Sequence, residues 1–322
     1  IISAGDVPLG TQGNLFGITG GEGTGKSNYV AAIVAGCICP AGAEVDTLGV
    51  QITANGRHKA VLLYDTEQSE VQLFKNVSNL LARAKQPDKP DELKAFCLTG
   101  MSRKERLNAI VQSMDKFYYQ YGGIQLVVID GIADLVKSAN DEAESVAVID
   151  ELYRLAGIYN TCILCVLHFV PNGLKLRGHL GSELQRKAAT ILSIEKDEEP
   201  AQSVVKALKV RDGSPLDVPL MLFAWDKEAG MHVYKGEKPR EEKEKRKERE
   251  LVNVARDIFG RQTRITYIDL CEQLQQVLDI KERTAKSYIR FMRERDIITK
   301  DTANQSCFVI GSYNLQRNAS CP

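Results

Sequence analysis

The chain has 322 residues, a formal net charge of zero, and 43% hydrophobic against 26% charged residues. This is the composition of an ordinary globular protein, and no apolar run approaches the ~18 residues that would cross a bilayer. Eight cysteines at irregular positions do not indicate the disulfide framework of a small secreted protein. From these observations we do not expect a chain that spans a membrane. They predict a soluble, cytoplasmic protein.

Charge divides the chain into two parts. From Lys238 to the end, 18 Lys and Arg residues stand against 13 Asp and Glu, a net +5 that leaves −5 on residues 1–237. Residues 238–250, "KPREEKEKRKERE", carry both signs at helical spacing, which is typical of a linker or an exposed helix. We therefore expect a first domain over residues 1–237, this charged segment, and a basic second domain over residues 251–322.

Short apolar runs alternate with helical patterns in the first domain. In chain order they are "NLFGIT", a helix from Gly25, "AVLLYD", a helix around "SEVQLFKNVSNLLARA", "KAFCLT", a helix that begins at the capping box of Ser102 and Glu105, "IQLVVID", a helix, and "TCILCVLHF". The alternation predicts an α/β fold with a largely parallel, twisted sheet between helices. Four later runs, "AATILSIEK", "SVVKALKVRD", "LMLFAW" and "GMHVYK", predict an antiparallel extension of that sheet.

A glycine-rich segment lies between the first of these strands and the first helix. It fits the pattern G-x-x-x-x-G-K-S, in which glycines let successive backbone N–H groups surround phosphate oxygens and the helix N-terminus adds its positive dipole end. Lys26 is expected on the β- and γ-phosphates of ATP, and Ser27 on Mg²⁺. The predicted nucleotide-binding residues are Gly20, Gly21, Glu22, Gly23, Thr24, Gly25, Lys26 and Ser27.

Polar residues end three other predicted strands. Asp130 ends "LVVID" and is the second candidate ligand for Mg²⁺. The run "AVLLYDTE" ends in Asp65-Thr66-Glu67, where Glu67 is the candidate general base for water and Asp65 is either its rival or a helix cap. His168 ends "CVLH" at the same edge, as a sensor of the γ-phosphate or as an ordinary half-buried histidine.

The motifs "GGEGTGKS", "LLYDTE", "VVIDG" and "VLH", in this order on successive strands, resemble the RecA superfamily. They look most like RepA-type plasmid helicases and related ATPases of mobilizable transposons, over residues 1–236, and Glu22 at the third P-loop position is as in RecA itself. The resemblance implies a RecA-like P-loop ATPase that uses ATP and Mg²⁺, works on DNA and forms a homo-oligomer such as a hexamer. It implies Glu67 activating water, Asp130 on Mg²⁺ and His168 as the sensor.

Two later segments extend the resemblance. "ALKVRDGS" is similar to the K-x-R segment of DnaB-like ring helicases, which implies that Lys209 and Arg211 reach the γ-phosphate bound by a neighbouring subunit; an ordinary exposed basic strand is the alternative. Residues 170–189 match in place a loop that contacts DNA in these relatives, and a plain surface loop is the alternative. The side chains expected on single-stranded DNA in the centre of a ring are Lys175, Arg177, Arg186 and Lys187.

The second domain has the element order of a winged helix. Helical patterns cover "LVNVARDIFG" and "TYIDLCEQLQQVL", a turn follows at Asp279, a third helix runs to Arg295, and "IITK" and "CFVIG" predict a hairpin. Asp279 and Glu282 predict that the third helix begins near Ile280. On this helix Ala285, Ile289 and Met292 are expected to pack inward.

A basic stripe lies beside that apolar face of the third helix. A helix with one face in the core and a basic neighbouring face is suited to duplex DNA, although winged helices also serve as protein-interaction modules. The residues expected to contact duplex DNA are Arg283, Lys286, Arg290 and Arg293.

Two functions of different class follow from the sequence. The first is a DNA-acting ATPase, a hexameric helicase or translocase of the replication or transfer of a mobile element. The second is a DNA-binding regulator or assembly factor in which ATP switches the oligomeric state with little turnover. A metabolite kinase is disfavoured because no lid-like arginine cluster is evident and the basic second domain would have no role.

Overall fold

The computed structural model of the chain describes residues 1–168, 178–197, 201–239, 241–302 and 304–312. The chain divides into two units, Ile1–Lys238 and Pro239–Pro322. Within the described ranges, no helix is long and apolar enough to span a bilayer.

The first unit alternates strands and helices as the sequence patterns predict. Its strands are β1 Ile2–Ala4, β2 Val7–Gly10, β3 Leu15–Gly20, β4 Gln51–Ile52, β5 Ala60–Asp65, β6 Leu93–Cys97, β7 Ile124–Asp130, β8 Cys162–His168, β9 Thr190–Lys196, β10 Gln202–Val210, β11 Leu220–Asp226 and β12 Met231–Lys238. Its helices are α1 Lys26–Ile38, α2 Glu70–Arg83, α3 Arg103–Gln120, α4 Glu142–Ile158 and α5 Gly178–Lys187, with a 3-10 turn at Ile132–Leu135.

Nine of these strands form one sheet in the order β12-β11-β10-β9-β3-β8-β7-β5-β6. The strands from β6 to β9 pair in parallel, and β10, β11 and β12 pair antiparallel. The prediction of a mainly parallel sheet with an antiparallel extension is confirmed, with one correction. Strand β9 is parallel to β3, because α5 carries the chain back across the sheet before β9 begins.

The sheet is buried on both faces, which explains why its central strands read as continuous apolar runs. Cys162 and Leu164 belong to the core that contains α1 and α2, whereas Ile163 and Cys165 belong to the core that contains α3, α4 and α5. The two cysteines of "CILC" therefore point to opposite faces, as strand alternation requires.

The polar ends of the parallel strands meet at one edge of the sheet, here named the carboxyl edge. In the strand registers Gly20 lies beside His168, and Asp65 lies beside Asp130. The opposite edge, where β3 and β8 begin, is named the amino edge. The order β3-β8-β7-β5 therefore brings the P-loop and the three polar strand ends together.

Local signals set several element ends. The capping box predicted at Ser102 is present, since its backbone N–H donates to Glu105 Oε2 at 2.7 Å. The small antiparallel sheet β2-β1-β4 was not predicted, because strands of two to four residues leave no usable periodicity.

Within its described residues, the second unit contains three helices and a three-stranded antiparallel sheet of order β13-β15-β14. Its core includes Ala285, Ile289 and Met292, which are buried as predicted. The elements are α6 Glu241–Arg261, β13 Ile265–Thr266, α7 Tyr267–Leu278, α8 Glu282–Glu294, β14 Ile298–Lys300 and β15 Cys307–Ile310.

Two boundary predictions in this unit need correction. The charged run after Lys238, predicted as a linker or an exposed helix, is helical from Glu241, so the helix predicted to begin at Leu251 begins at Glu241. Helix α8 begins at Glu282 after the N-cap Lys281, not near Ile280. Asp279 instead ends α7 in the left-handed conformation, with φ 48°, which aspartate tolerates better than most residues.

Candidate active site

The glycine-rich loop turns directly into α1. Gly25 is the N-cap of the helix with φ 93° and ψ 17°, a left-handed conformation that favours glycine. Within the loop, Thr24 Oγ1 donates to the carbonyl oxygen of Gly21 at 3.0 Å. The loop thus places the N-terminus of α1, with Lys26 and Ser27 as its first residues, at the carboxyl edge of the sheet.

The ammonium group of Lys26 is folded back onto the loop. Its Nζ lies 3.0 Å from the carbonyl oxygen of Gly20, 2.7 Å from that of Gly21 and 3.2 Å from Nδ1 of His168. An ammonium group has three donors, so a bound phosphate must replace at least one of these contacts.

Asp65 and Glu67 have different surroundings although they are two residues apart. Oδ1 of Asp65 accepts hydrogen bonds from the backbone N–H groups of Glu67 at 3.0 Å and Gln68 at 2.8 Å. Asp65 therefore closes the turn after β5 and is not a helix cap, since the N-cap of α2 is Ser69, whose side chain accepts from the N–H of Gln72 at 3.3 Å. Oε2 of Glu67 lies 3.2 Å from Nε2 of His168, beside the loop. This geometry favours Glu67 as the general base.

His168 joins the P-loop lysine to the candidate base. Because an ammonium group only donates, the Nδ1 atom facing Lys26 must be the acceptor, and the proton of the neutral ring must sit on Nε2. That Nε2–H then donates to Glu67, whose side chain is 34% exposed, and His168 is 30% exposed. The residues predicted as phosphate ligand, sensor and base therefore form one hydrogen-bonded chain.

Asp130 lies beside this chain among other acidic groups. Burial, together with the nearby charges of Asp65 and Glu67, raises the pKa of Asp130 from 3.8 to about 7, whereas Lys26 opposes the shift. Burial also raises the pKa of Asp65 and lowers the pKa of Lys26. The site thus concentrates carboxylates around one buried cation, an arrangement that a bound divalent cation would stabilise.

Comparison with protein families identifies this arrangement. A family model described as AAA domain matches residues 5–172, just over half of the chain. The chain belongs to the AAA domain family. The match includes the P-loop, Glu67, Asp130 and His168, and the AAA domain is a P-loop NTPase domain that binds nucleotide. A comparison with curated proteins gives no match.

The donor set at the carboxyl edge of the AAA domain fits Mg²⁺. A serine hydroxyl on the first turn of α1 and the carboxylate of Asp130 are hard oxygen ligands, and Mg²⁺ is usually held by one or two such groups together with substrate phosphates. Ser27 and Asp130 are therefore the residues that would hold the ion.

The basic pair Lys209 and Arg211 lies away from this site. Lys209 Nζ donates to the carbonyl oxygens of Gln185 at 2.6 Å and Arg186 at 3.1 Å, and Arg211 Nη2 donates to that of Lys187 at 3.1 Å. Both side chains therefore contact the C-terminus of α5 at the amino edge.

The segment predicted to contact single-stranded DNA is only partly described. Residues 178–187 form helix α5, so the prediction of a loop is wrong there. Arg186 pairs with Glu183 at 2.5 Å, and Lys187 pairs with Asp150 at 2.8 Å. Lys175 and Arg177 lie outside the described residues.

Two residues of the site were not predicted from the sequence. Thr66 Oγ1 donates to the carbonyl oxygens of Asp130 at 3.0 Å and Gly131 at 2.8 Å, which ties the end of β5 to the end of β7. Gly131 has φ 96°, and an added Cβ would lie 2.4 Å from Thr66 Oγ1 and 2.7 Å from Glu67 Cγ. The usable signals were the threonine inside "DTE" and the glycine directly after "VVID".

Replacing Gly131 tests whether the position of Glu67 matters for hydrolysis. We expect Gly131→Ala to lower ATP turnover about 10- to 100-fold with nucleotide affinity retained, because the new methyl group displaces Glu67 and leaves the P-loop unchanged. Turnover and equilibrium nucleotide binding are measured on the same preparation. Gly123→Ala is the control, since Gly123 also has positive φ but directly precedes β7, at the end of that strand opposite Asp130. Equal losses in the two variants would contradict the expectation.

The ionisation of Asp130 makes the nucleotide-free protein sensitive to pH. Because its pKa is about 7 in the fold and 3.8 in the reference state, the native protein binds more protons between these values and stability falls as pH rises through that window. We expect Asp130→Asn, which cannot ionise, to raise the thermal midpoint at pH 8 by a few degrees and by less at pH 5. Midpoints are measured without nucleotide or Mg²⁺. If the difference in thermal midpoint between Asp130→Asn and the unaltered chain did not vary with pH, the ionised carboxylate would not be destabilised by its surroundings.

Proposed function

We propose that this chain is a Mg²⁺-dependent ATPase that acts on DNA in a head-to-tail assembly of copies, as a helicase or translocase. The observation that carries the proposal is the placement of two complementary groups on opposite edges of one sheet. The carboxyl edge holds the P-loop and the acidic groups, and the amino edge holds Lys209 and Arg211.

Hydrolysis is assigned to residues of the carboxyl edge. Lys26 and the backbone N–H groups of the loop hold the phosphates, and Ser27 and Asp130 hold Mg²⁺, which when bound neutralises charge on the phosphoryl oxygens. Glu67 orients the attacking water and accepts its proton. His168 donates from Nε2 to Glu67 while its Nδ1 accepts from Lys26. The hydrogen bonds of His168 therefore depend on the orientation of the Lys26 side chain.

The basic pair at the amino edge requires a second copy to reach a nucleotide. Strand β10 begins at Gln202 beside the carboxyl edge and ends at Val210 beside Thr190, where β9 begins. At about 3.3 Å per residue, Lys209 lies roughly 20 Å along the strand from Ser203. A contact of the amino edge of one copy with the carboxyl edge of the next brings positive charge to the acidic site, and a heterologous contact of this kind builds rings or filaments. A hexameric ring is the form proposed.

The second unit supports DNA as the partner. We propose that its three helices and antiparallel hairpin form a winged helix with α8 as the helix that contacts duplex DNA. The four basic residues of the predicted stripe are exposed on α8. Lys286 pairs with Glu282 at 2.7 Å and Arg290 with Glu294 at 2.8 Å. Pairs between such exposed groups are weak, so DNA phosphates can replace the carboxylates.

Two parts of the proposal rest on the sequence resemblance. Single-stranded DNA in the centre of the ring depends on the segment that includes Lys175 and Arg177, together with the basic end of α5. The setting, replication or transfer of a plasmid or mobilizable transposon, follows from the likeness of the motifs to RepA-type ATPases. A cytoplasmic location belongs with that setting.

The decisive experiment measures ATP hydrolysis by the full chain with and without single-stranded DNA, while the mass of the assembly is recorded. We expect DNA to accelerate turnover and Lys26→Ala to abolish it. If turnover were slow and did not change on addition of DNA, while ATP changed the assembly state, the helicase or translocase proposal would be wrong. The ATP-switched DNA-binding protein would then be the better account.

Duplex binding by the second unit is tested through its salt dependence. We expect Arg283→Ala and Arg290→Ala each to weaken binding and to lower the slope of log affinity against log salt by about 1, since each removes one phosphate contact. Arg264→Ala is the control, because Arg264 precedes β13, does not belong to α8 and pairs with Asp301 at 2.8 Å. Unchanged affinity in both α8 variants would favour a protein-interaction role for this unit.

A further inference from the structure

An aromatic ring from the antiparallel part of the sheet closes one side of the P-loop. Phe223 lies on β11 and is fully buried in the core that contains α1. A Cβ placed on Gly25 would lie 2.8 Å from Cε2 and 3.0 Å from Cζ of Phe223. The phenyl ring is therefore in close contact with the residue at which the loop turns into α1.

The same strand also supports the first turn of α1. The rings of Tyr29 and Phe223 have centroids 5.8 Å apart, and Tyr29 Oη lies 3.9 Å from Sδ of Met221. Tyr29 is fully buried and contacts both Phe223 and Met221, so the beginning of α1 packs against β11. On its other side, Phe223 meets the ring of His232 on β12, with centroids 5.7 Å apart. Phe223 therefore contacts aromatic side chains of both α1 and β12.

We propose that Phe223 is a positioning residue of the nucleotide site, which holds Gly25 and the N-terminal turn of α1 in the conformation that receives phosphate. This rests on the proposed ATP site and adds to it a residue outside the region matched by the family model. The N–H groups at a helix N-terminus bind phosphate only when they point at it. Because Gly25 has φ 93° and glycine permits many other conformations, an external contact is needed to hold that backbone in place.

A purely structural role of Phe223 makes a different prediction. A buried phenyl ring that contributed only apolar burial would, when truncated, lower the stability of the fold and leave the affinity of the folded molecules for nucleotide unchanged. A positioning role changes the affinity itself. Because the loop holds the phosphates equally before and during the reaction, the loss is expected in KM and not in kcat.

The experiment compares Phe223→Leu with Phe117→Leu in the full chain. Phe117 is also a buried phenyl ring, but it belongs to α3 on the opposite face of the sheet. We measure the Kd of MgADP by calorimetry, kcat and KM for ATP, and the thermal midpoint. We expect Phe223→Leu to raise Kd and KM by at least about tenfold with kcat within about twofold, and Phe117→Leu to lower only the thermal midpoint.

Each outcome decides a separate point. If folded Phe223→Leu binds MgADP with the affinity of the unaltered chain, the proposal is wrong. It is also wrong if Phe223→Leu and Phe117→Leu raise the Kd of MgADP equally. If Phe223→Leu does not fold, Phe223→Met replaces the rigid ring with a flexible side chain that cannot hold the backbone of Gly25 in one conformation, and an unchanged Kd in that variant overturns the proposal as well. Absence of MgADP binding by the unaltered chain, or binding that Lys26→Ala does not weaken, overturns the proposed nucleotide site instead. Emission of Trp225, the single tryptophan, reports whether the β11–β12 hairpin is retained in each variant.

Discussion

Glu67→Gln is expected to lower ATP turnover by about 10²- to 10⁴-fold while nucleotide affinity stays close to that of the unaltered chain. The substitution replaces one oxygen and removes the basicity that the water needs. The remaining amide oxygen can still accept from Nε2 of His168, so the hydrogen-bonded chain from Lys26 survives. Single-turnover hydrolysis and equilibrium binding of ATP measure the two quantities separately.

Asp65→Asn is the matched control for this prediction. It is the corresponding change two residues away, and asparagine keeps the Oδ1 acceptor that receives the N–H groups of Glu67 and Gln68. We expect turnover within about tenfold of the unaltered chain, because a group that only closes the turn does not take part in proton transfer. If Asp65→Asn loses turnover and Glu67→Gln does not, Asp65 is the base and the assignment made here is wrong.

Arg211→Ala is expected to be nearly inactive alone and to regain activity when mixed with Lys26→Ala. An arginine that stabilises charge on a transferred phosphoryl group contributes about 10³- to 10⁵-fold to turnover. Because Arg211 lies at the amino edge and contacts the carbonyl oxygen of Lys187 in its own chain, the proposed function assigns it to the nucleotide site of the next copy. In a mixed assembly, an intact P-loop from one variant meets an intact arginine from the other.

Equal amounts of the two variants give a quantitative expectation. Random assembly places both intact groups at about a quarter of the contacts between copies, so turnover should return to about that fraction. Arg154→Ala replaces Arg211→Ala in the control mixture, since Arg154 pairs with Glu151 on α4 at 2.7 Å and has no assigned role. Full activity of Arg211→Ala by itself would mean that the side chain serves only to cap α5.

Local residue order predicted the parts of the site that lie within one segment. The P-loop was predictable because its spacing, the preceding strand and the following helix are contiguous in "NLFGITGGEGTGKS". Asp130 and Glu67 were predictable as polar residues that end buried strands. The distinction between Asp65 and Glu67 was not, because it depends on two backbone N–H groups whose direction only the folded turn defines.

Long-range relations could not be predicted from the pattern. The direction of β9 was missed because the residue pattern of a seven-residue strand reads the same in a parallel and an antiparallel strand. The start of α8 was misplaced because aspartate at position 279 serves equally well as a helix N-cap and as a left-handed C-cap. The contact of Phe223 with Gly25 joins distant segments and has no local signature at all.

The direction of the hydrogen bonds at His168 limits which residues can replace it. Position 168 must accept from an ammonium group on one side and donate to a carboxylate on the other. Among uncharged side chains of similar length, only glutamine also carries an acceptor and a donor on neighbouring atoms, whereas methionine or leucine offers neither bond. We expect a library of all substitutions at this position to return histidine and glutamine as the functional residues. Selection at position 168 would then act on hydrogen-bond polarity and not on charge or size.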